Sequence, residues 1–429
     1  MGQRCKVSKA RSRGAFAPVS VMTPVAIVLF GFFSSSATAQ NHRLPWTGTW
    51  AVSPTRDNPG MRFDKQTLRQ IVHTSVGGHI ARIHISNLFG SQPLPIEDVH
   101  IALRITGSSI VPATDRKVQF GGLASVIVQP GTTALSDPIE FQVPRLADVV
   151  ISFYFPKATT ASTCHGSGFQ TNYIADGDVS GDISLSGVKT TRSYYFLMNL
   201  DVQDQAALGS VVTLGASITD GYASTADTNR RWPNDLAQRL VDAGLNIGVL
   251  NQGISGNRLL AAGAGDSAET RFDRDVLEQP GVHWVVFSDD PINDLGSTKP
   301  PPKGDQLIAA IVRLITRAHE KQIKFVCSTL TPYQGAGYWT PAAEAARDQI
   351  NAFIRDKSSG CDGVIDQDAA THDPVHPTQY LPAYDSGDHL HPNEAGLQAI
   401  ADAVDLSLFS HTEVLGATER SSRSIPSGR

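Results

Sequence analysis

Apolar and polar positions follow two different rhythms along the chain. Up to about residue 201, apolar residues come in short alternating runs. "HIARIHISNLFG" (79–90) switches between apolar and polar residues as a strand with one wet face does. "KVQFGG", "ASVIVQPGTTALSDPIEFQVP" and "DVVISFYFP" continue in β-rich pieces broken by Gly, Pro, Asp and Ser. No long amphipathic helix interrupts them, so this part reads as a β-sandwich. From about Gly209 the apolar runs become compact: "SVVTLG" (210–215), "NIGVLNQG" (246–253), "HWVVFS" (283–288), "IKFVCST" (323–329) and "DGVID" (362–366). Helical stretches separate several of them. In the stretch 304–322, Leu307, Ile308, Ile311, Leu314 and Ile315 fall on one face. A last helix follows "HPNEAG" and runs to about Leu408. Strands alternating with helices predict a parallel sheet with helices on both faces, and such sheets bind ligands at the carboxyl ends of their strands.

The two ends of the chain stand apart. The first forty residues carry a basic start (Arg4, Lys6, Lys9, Arg11, Arg13), an apolar run from about Val25 to Phe33, and "ATA" ending at Ala39. That is the layout of a cleavable secretory signal, and the apolar run is far short of the roughly 20 residues that span a bilayer. The tail from about Thr412 is polar and expected to be disordered. The expected organisation is therefore a signal at 1–39, a β-rich domain at 40–205, an α/β domain at 206–410 and a tail at 411–429, in a secreted protein without a stable membrane anchor.

Of 429 residues, 41% are hydrophobic and 18% charged, a globular composition, and the formal net charge of −5 gives no reason to expect a nucleic-acid partner. Loss of Cys5 with the signal leaves Cys164, Cys327 and Cys361, so at most one disulfide can form. Cys327, inside the apolar run "IKFVCSTL", reads as a buried thiol. His372, His376, His389 and His391 lie in loops without the helical spacing of a zinc motif, so no metal site or cofactor is expected.

Three strand ends carry polar residues suited to chemistry. Ser217 follows the first run, Gly253, Ser255, Gly256 and Asn257 the second, and Asn293 and Asp294 the third. Late in the chain, "DSGDHLHPNEAG" sets Asp388 and His391 three residues apart just before a helix. A serine becomes a nucleophile when a base takes its proton, histidine has the pKa for that work, and a carboxylate holds the imidazole in the right tautomer. Backbone N–H groups at Ser217 and Gly256 and the side-chain amide of Asn293 are the natural donors to an oxyanion.

Together these blocks resemble the SGNH superfamily of GDSL-type esterases and lipases, over roughly residues 209–409. "GASITDG" is similar to its first block and implies Ser217 as nucleophile. "NQGISGN" implies Gly256 and "PINDLG" implies Asn293 as oxyanion donors, while "DHLHP" implies Asp388 and His391 as the rest of a triad. The resemblance implies a flavodoxin-like three-layer α/β/α domain. More narrowly, "FDKQTLRQIVHTSVGGHIARIHISNLFG" and "NRRWPNDLAQRL" resemble secreted bacterial members with a β-rich domain ahead of the hydrolase.

Two positions depart from the family pattern. Ala216 stands where the first block usually has aspartate, which removes a polar group near the nucleophile but no proton-transfer partner. Pro291 stands where the third block usually has glycine, preceded by Asp289 and Asp290. Proline fixes φ and lacks an N–H, so the loop carrying Asn293 is expected to take a different path. The resulting expectation is a secreted esterase acting on a small-molecule or glycan ester, with O-acyl groups on carbohydrate favoured. Tyr338 and Trp339 are candidates for sugar stacking, Asp289, Asp290 and Asp294 for further substrate contacts, and His165 for a contribution at the pocket mouth. Two alternatives stay open: a glycan hydrolase using the Asp289 and Asp290 carboxylates, and a non-catalytic carbohydrate-binding protein.

Overall fold

The alternating first half forms antiparallel sheets in a computed structural model that describes residues 44–56 and 60–410. The expected signal and tail lie outside the described residues. The main strands are β1 (Thr47–Ala51), β2 (Gln66–His73), β3 (Gly78–Ser86), β4 (Leu94–Thr106), β5 (Asp148–Phe155), β6 (Thr163–His165), β7 (Asn172–Asp176) and β8 (Leu197–Gln203). One sheet places β8 between β1 and β3, and another runs β7-β2-β5-β4. In the second, Ile151 lies opposite Gln70 on one side and Ile101 on the other. Leu68, Ile83, Ile101, Phe153 and Leu200 from both sheets share one apolar core. The alternation seen along β3 is the condition for this packing, because a one-residue slip would turn its apolar set to water.

The compact apolar runs become five parallel strands: β9 (Ser210–Gly215), β10 (Gly248–Gly253), β11 (Val282–Phe287), β12 (Lys324–Ser328) and β13 (Gly363–Ile365), in the order β10-β9-β11-β12-β13. Helices α1 (Ser217–Asp220), α2 (Trp232–Asp242), α3 (Ala268–Phe272), α4 (Asp290–Ser297), α5 (Gly304–Glu320), α6 (Pro341–Arg355), α7 (Gln367–Thr371) and α8 (Glu394–Asp402) connect and flank them. α5 buries Leu307, Ile311, Leu314 and Ile315 in the core around this sheet. Chain order reverses on either side of β9, so the end of β9 is the switch point where doubly wound sheets hold ligands.

β10 would be an open sheet edge, but the antiparallel part covers it. Gly48 of β1 donates from its N–H to the carbonyl of Pro280 (3.0 Å) and to Ser210 Oγ (3.1 Å). Val249 of β10 donates to Ser75 Oγ (2.9 Å). A side chain at Gly48 would meet Leu250 at 2.7 Å, so glycine here permits the close approach. Covering the edge satisfies backbone groups that would otherwise template pairing with another chain.

The cysteines correct one expectation. Cys327 is no buried thiol: it forms a disulfide with Cys361, 34 residues on, and so ties β12 to the turn before β13. Cys164 lies buried in β6. Among the described residues, no helix is long and apolar enough to cross a membrane.

Candidate active site

β9 ends at Gly215, and the chain turns at Ala216 into the four-residue helix α1, whose first residue is Ser217. Asp289, arriving from the end of the neighbouring β11, holds this turn. Its Oδ1 accepts from Ala216 N–H (3.0 Å), Thr219 N–H (3.3 Å) and Thr219 Oγ1 (2.6 Å), and its Oδ2 accepts from Ile218 N–H (2.8 Å). The carboxylate that residue 216 does not provide is thus supplied from another strand. A Cβ on Gly215 would lie 2.4 Å from Asp289 Oδ1, so the carboxylate fits because residue 215 is glycine. Arg271 fastens the same strand ends from below, donating to the carbonyls of Gly215 (3.0 Å) and Gln252 (2.6 Å).

Ser217 Oγ lies 2.9 Å from His391 Nε2, and His391 Nδ1 lies 2.6 Å from Asp388 Oδ2. With its proton on Nδ1, the imidazole donates to the carboxylate and accepts from the hydroxyl, the tautomer a general base needs. Asp388 Oδ1 also accepts from the N–H groups of Leu390 and His391, both at 2.9 Å. Partial burial pushes the Asp388 carboxyl up, but the bonds from the His391 ring and these two N–H groups outweigh it and hold the carboxyl at about 2. Asp388 is therefore an anion throughout the neutral range. The Tyr222 ring stacks at a tilt on His391, 4.1 Å between centroids.

Of the expected oxyanion donors, Ser217 opens α1 after β9, Gly256 follows β10, and Asn293 lies in α4 after β11. Among the described residues, the N–H groups of Ser217 and Gly256 donate to no protein acceptor. Gly256 has φ +78°, a left-handed conformation that glycine adopts without strain. Asn293 donates one amide hydrogen to the carbonyl of Asn257 (2.9 Å), and its Oδ1 accepts from the Tyr338 hydroxyl (3.1 Å). These two bonds fix the amide's orientation and leave its second hydrogen for a ligand. Pro291 does not redirect a loop as expected. It sits in the first turn of α4, where its missing N–H costs nothing, and Asn293 is carried on the helix itself.

The residues expected to contact substrate have the following partners. Asp289 accepts from the turn at Ser217. Asp290 is wholly buried, accepts from Asn257 Nδ2 (3.0 Å) and lies 3.6 Å from Arg271. Burial pushes its carboxyl up to about 6 against the pull of Arg271. Asp294 accepts from the N–H groups of Leu259 (2.5 Å) and Leu260 (3.1 Å), so it anchors the chain beyond Gly256; burial raises it, too, to about 6. Tyr338 serves Asn293, and Trp339 Nε1 donates to Glu344 (2.9 Å). His165 is buried with both ring nitrogens engaged, on Ser53 and Asp220, and presents no edge to a pocket mouth. Sequence reasoning missed Arg271, Asp220 and Tyr222. Asp220 and Tyr222 sit in the segment "SITDGY", but nothing local says which partners they meet.

Comparison with known proteins agrees with the blocks read from the sequence. Residues 213–399 match the model of the GDSL-like lipase/acylhydrolase family. A comparison with curated proteins found no match. Similar solved structures include a putative lipolytic protein of the G-D-S-L family from Desulfitobacterium hafniense, 22% identical over 45% of this chain and 96% of that one, with TM-score 0.36. A putative acylhydrolase from Bacteroides fragilis is 20% identical over 46% and 86%, with TM-score 0.35. A variant acetyl xylan esterase from Geobacillus stearothermophilus is 23% identical over 47% and 94%, with TM-score 0.36. Over residues 213–399 the chain is similar to the GDSL-like lipase/acylhydrolase family, and it is an ester-bond hydrolase.

Proposed function

We propose that the protein is an exported serine esterase that cleaves carboxylic esters through an acyl-enzyme, with Ser217 as nucleophile, His391 as base and acid, and Asp388 as the group that orients it. The observation that carries this reading is the unbroken run from Ser217 Oγ through His391 to Asp388. As Ser217 Oγ bonds to the ester carbonyl carbon, its proton passes to His391 Nε2. The carbonyl oxygen becomes an oxyanion held by Ser217 N–H, Gly256 N–H and the Asn293 amide. Collapse breaks the bond to the alcohol, which leaves with the proton from His391. Water, deprotonated by the same nitrogen, then attacks the acyl-serine, and the carboxylic acid departs as Ser217 recovers its proton.

O-acyl groups on carbohydrate are the favoured substrates. The groups around His391 are polar or amphipathic: Tyr222, Ser386, Asp388 and an exposed His389 hydrogen-bonded to Asp385. Such a rim suits a hydroxyl-rich alcohol better than a long alkyl chain. Export fits the Cys327–Cys361 disulfide, since such bonds persist in oxidising compartments. The test is turnover of 4-nitrophenyl acetate, of a long-chain 4-nitrophenyl ester, and of acetylated and plain oligosaccharides by wild type, Ser217→Ala and Asp388→Asn. Ester cleavage should vanish in Ser217→Ala, and kcat should fall roughly 10³–10⁴-fold in Asp388→Asn. Unchanged turnover in Ser217→Ala would refute the reading, and preference for long-chain over sugar esters would refute the substrate class.

A further inference from the structure

His165 belongs to the antiparallel part of the chain, yet it reaches the element that carries Ser217. It lies in β6, is 4% exposed, and its two ring nitrogens both face acceptors. Nδ1 is 3.0 Å from the carbonyl of Ser53, and Nε2 is 3.0 Å from Asp220 Oδ1. A carbonyl oxygen can only accept, so Nδ1 carries a proton directed at Ser53, and Nε2 faces the Asp220 carboxyl group. Burial works against charge on the ring, but Asp220 and the Ser53 carbonyl outweigh it and keep His165 protonated to higher pH than an ordinary histidine.

Asp220 is the last residue of α1, three positions after Ser217. Its second oxygen, Oδ2, accepts from Ser255 N–H (2.8 Å) and Ser255 Oγ (2.7 Å). Ser255 directly precedes Gly256, whose N–H is an expected oxyanion donor. The approach is close: a Cβ on Gly253 would lie 2.3 Å from Asp220 N. One carboxylate thus joins three pieces: the helix of the nucleophile, the turn of the oxyanion donor, and the antiparallel module.

We propose that His165 is a positioning residue of the hydrolase, through which the antiparallel module sets the distance between Ser217 and the Gly256 N–H by way of Asp220 and Ser255. The module is then part of the catalytic apparatus rather than an appended binding unit. With His165 removed, Asp220 Oδ1 loses its partner, the carboxyl group is no longer held from both sides, and the oxyanion turn shifts relative to the nucleophile. Small misplacements of this kind cost rate rather than binding. This inference rests on the reading of Ser217 as nucleophile and Gly256 as donor.

The test uses the full chain with His165→Ala, Ser255→Ala, the double variant and Ser217→Ala, each checked for a native near-ultraviolet dichroism spectrum and assayed on 4-nitrophenyl acetate. Both single variants should lose kcat, by about 10- to 100-fold for His165→Ala, with KM changed by less than about threefold. Because both act through Asp220, the double variant should be little worse than His165→Ala alone. A folded His165→Ala or Ser255→Ala enzyme with wild-type kcat overturns the proposal, as do losses that simply multiply. If His165→Ala does not fold, Ser255→Ala decides alone, because it leaves the antiparallel module untouched. Residual turnover in Ser217→Ala would instead mark failure of the nucleophile reading, and full loss there with wild-type kcat in the others would mark failure of this one.

Discussion

Asp289 places four hydrogen bonds on the turn that presents Ser217, three from backbone N–H groups and one from a hydroxyl. Replacing it with alanine leaves these buried donors unmatched, and each unmatched donor costs about 1–3 kcal/mol. Asp289→Ala should therefore unfold at markedly lower denaturant and lose kcat. Asp289→Asn should fall between it and wild type, because its oxygen still serves Ala216 and Thr219 while its amide confronts Ile218 N–H. Urea unfolding with parallel kinetics checks that order, and equal stability of all three would contradict it. Asp290 behaves oppositely. Its carboxyl is raised to about 6 by burial, above the usual carboxylate value, so its protonated form is favoured in the folded state. Its contribution to stability is complete below about pH 4 and is lost as pH rises through about 6. Asp290→Asn should thus gain on wild type as pH rises from 4 to 7, which thermal unfolding across that range measures.

At the scale of elements, strands and helices were legible where periodicity was strong. The five compact apolar runs are the five parallel strands, and the face expected on 304–322 is the buried face of α5. The place of Pro291 was not legible, because proline's effect depends on where a helix starts, and the first turn of α4 tolerates a residue without an N–H. The Cys327–Cys361 link was out of reach because three cysteines permit several pairings and the deciding separation is spatial. Closing a 34-residue segment between β12 and β13, the disulfide should contribute about 3–4 kcal/mol by limiting the unfolded chain. A Cys327→Ala/Cys361→Ala variant should show that loss in urea unfolding; unchanged stability would mean the segment is already ordered without the bond.

For the whole molecule, the blocks expected to carry chemistry were visible in order along the chain: Ser217, Gly256 and Asn293 follow three of the parallel strands, and Asp388 and His391 lie in the segment just before α8. The residues that hold them were not. Asp289, Arg271 and His165 act across 19 to 112 positions of sequence, on partners that only the folded sheets bring near. The measurement that tests the account most directly is mass spectrometry of enzyme quenched during turnover of 4-nitrophenyl acetate. The account predicts an acetyl group on the peptide containing Ser217, absent in Ser217→Ala. An acyl group on another residue, or steady turnover by Ser217→Ala, would contradict it.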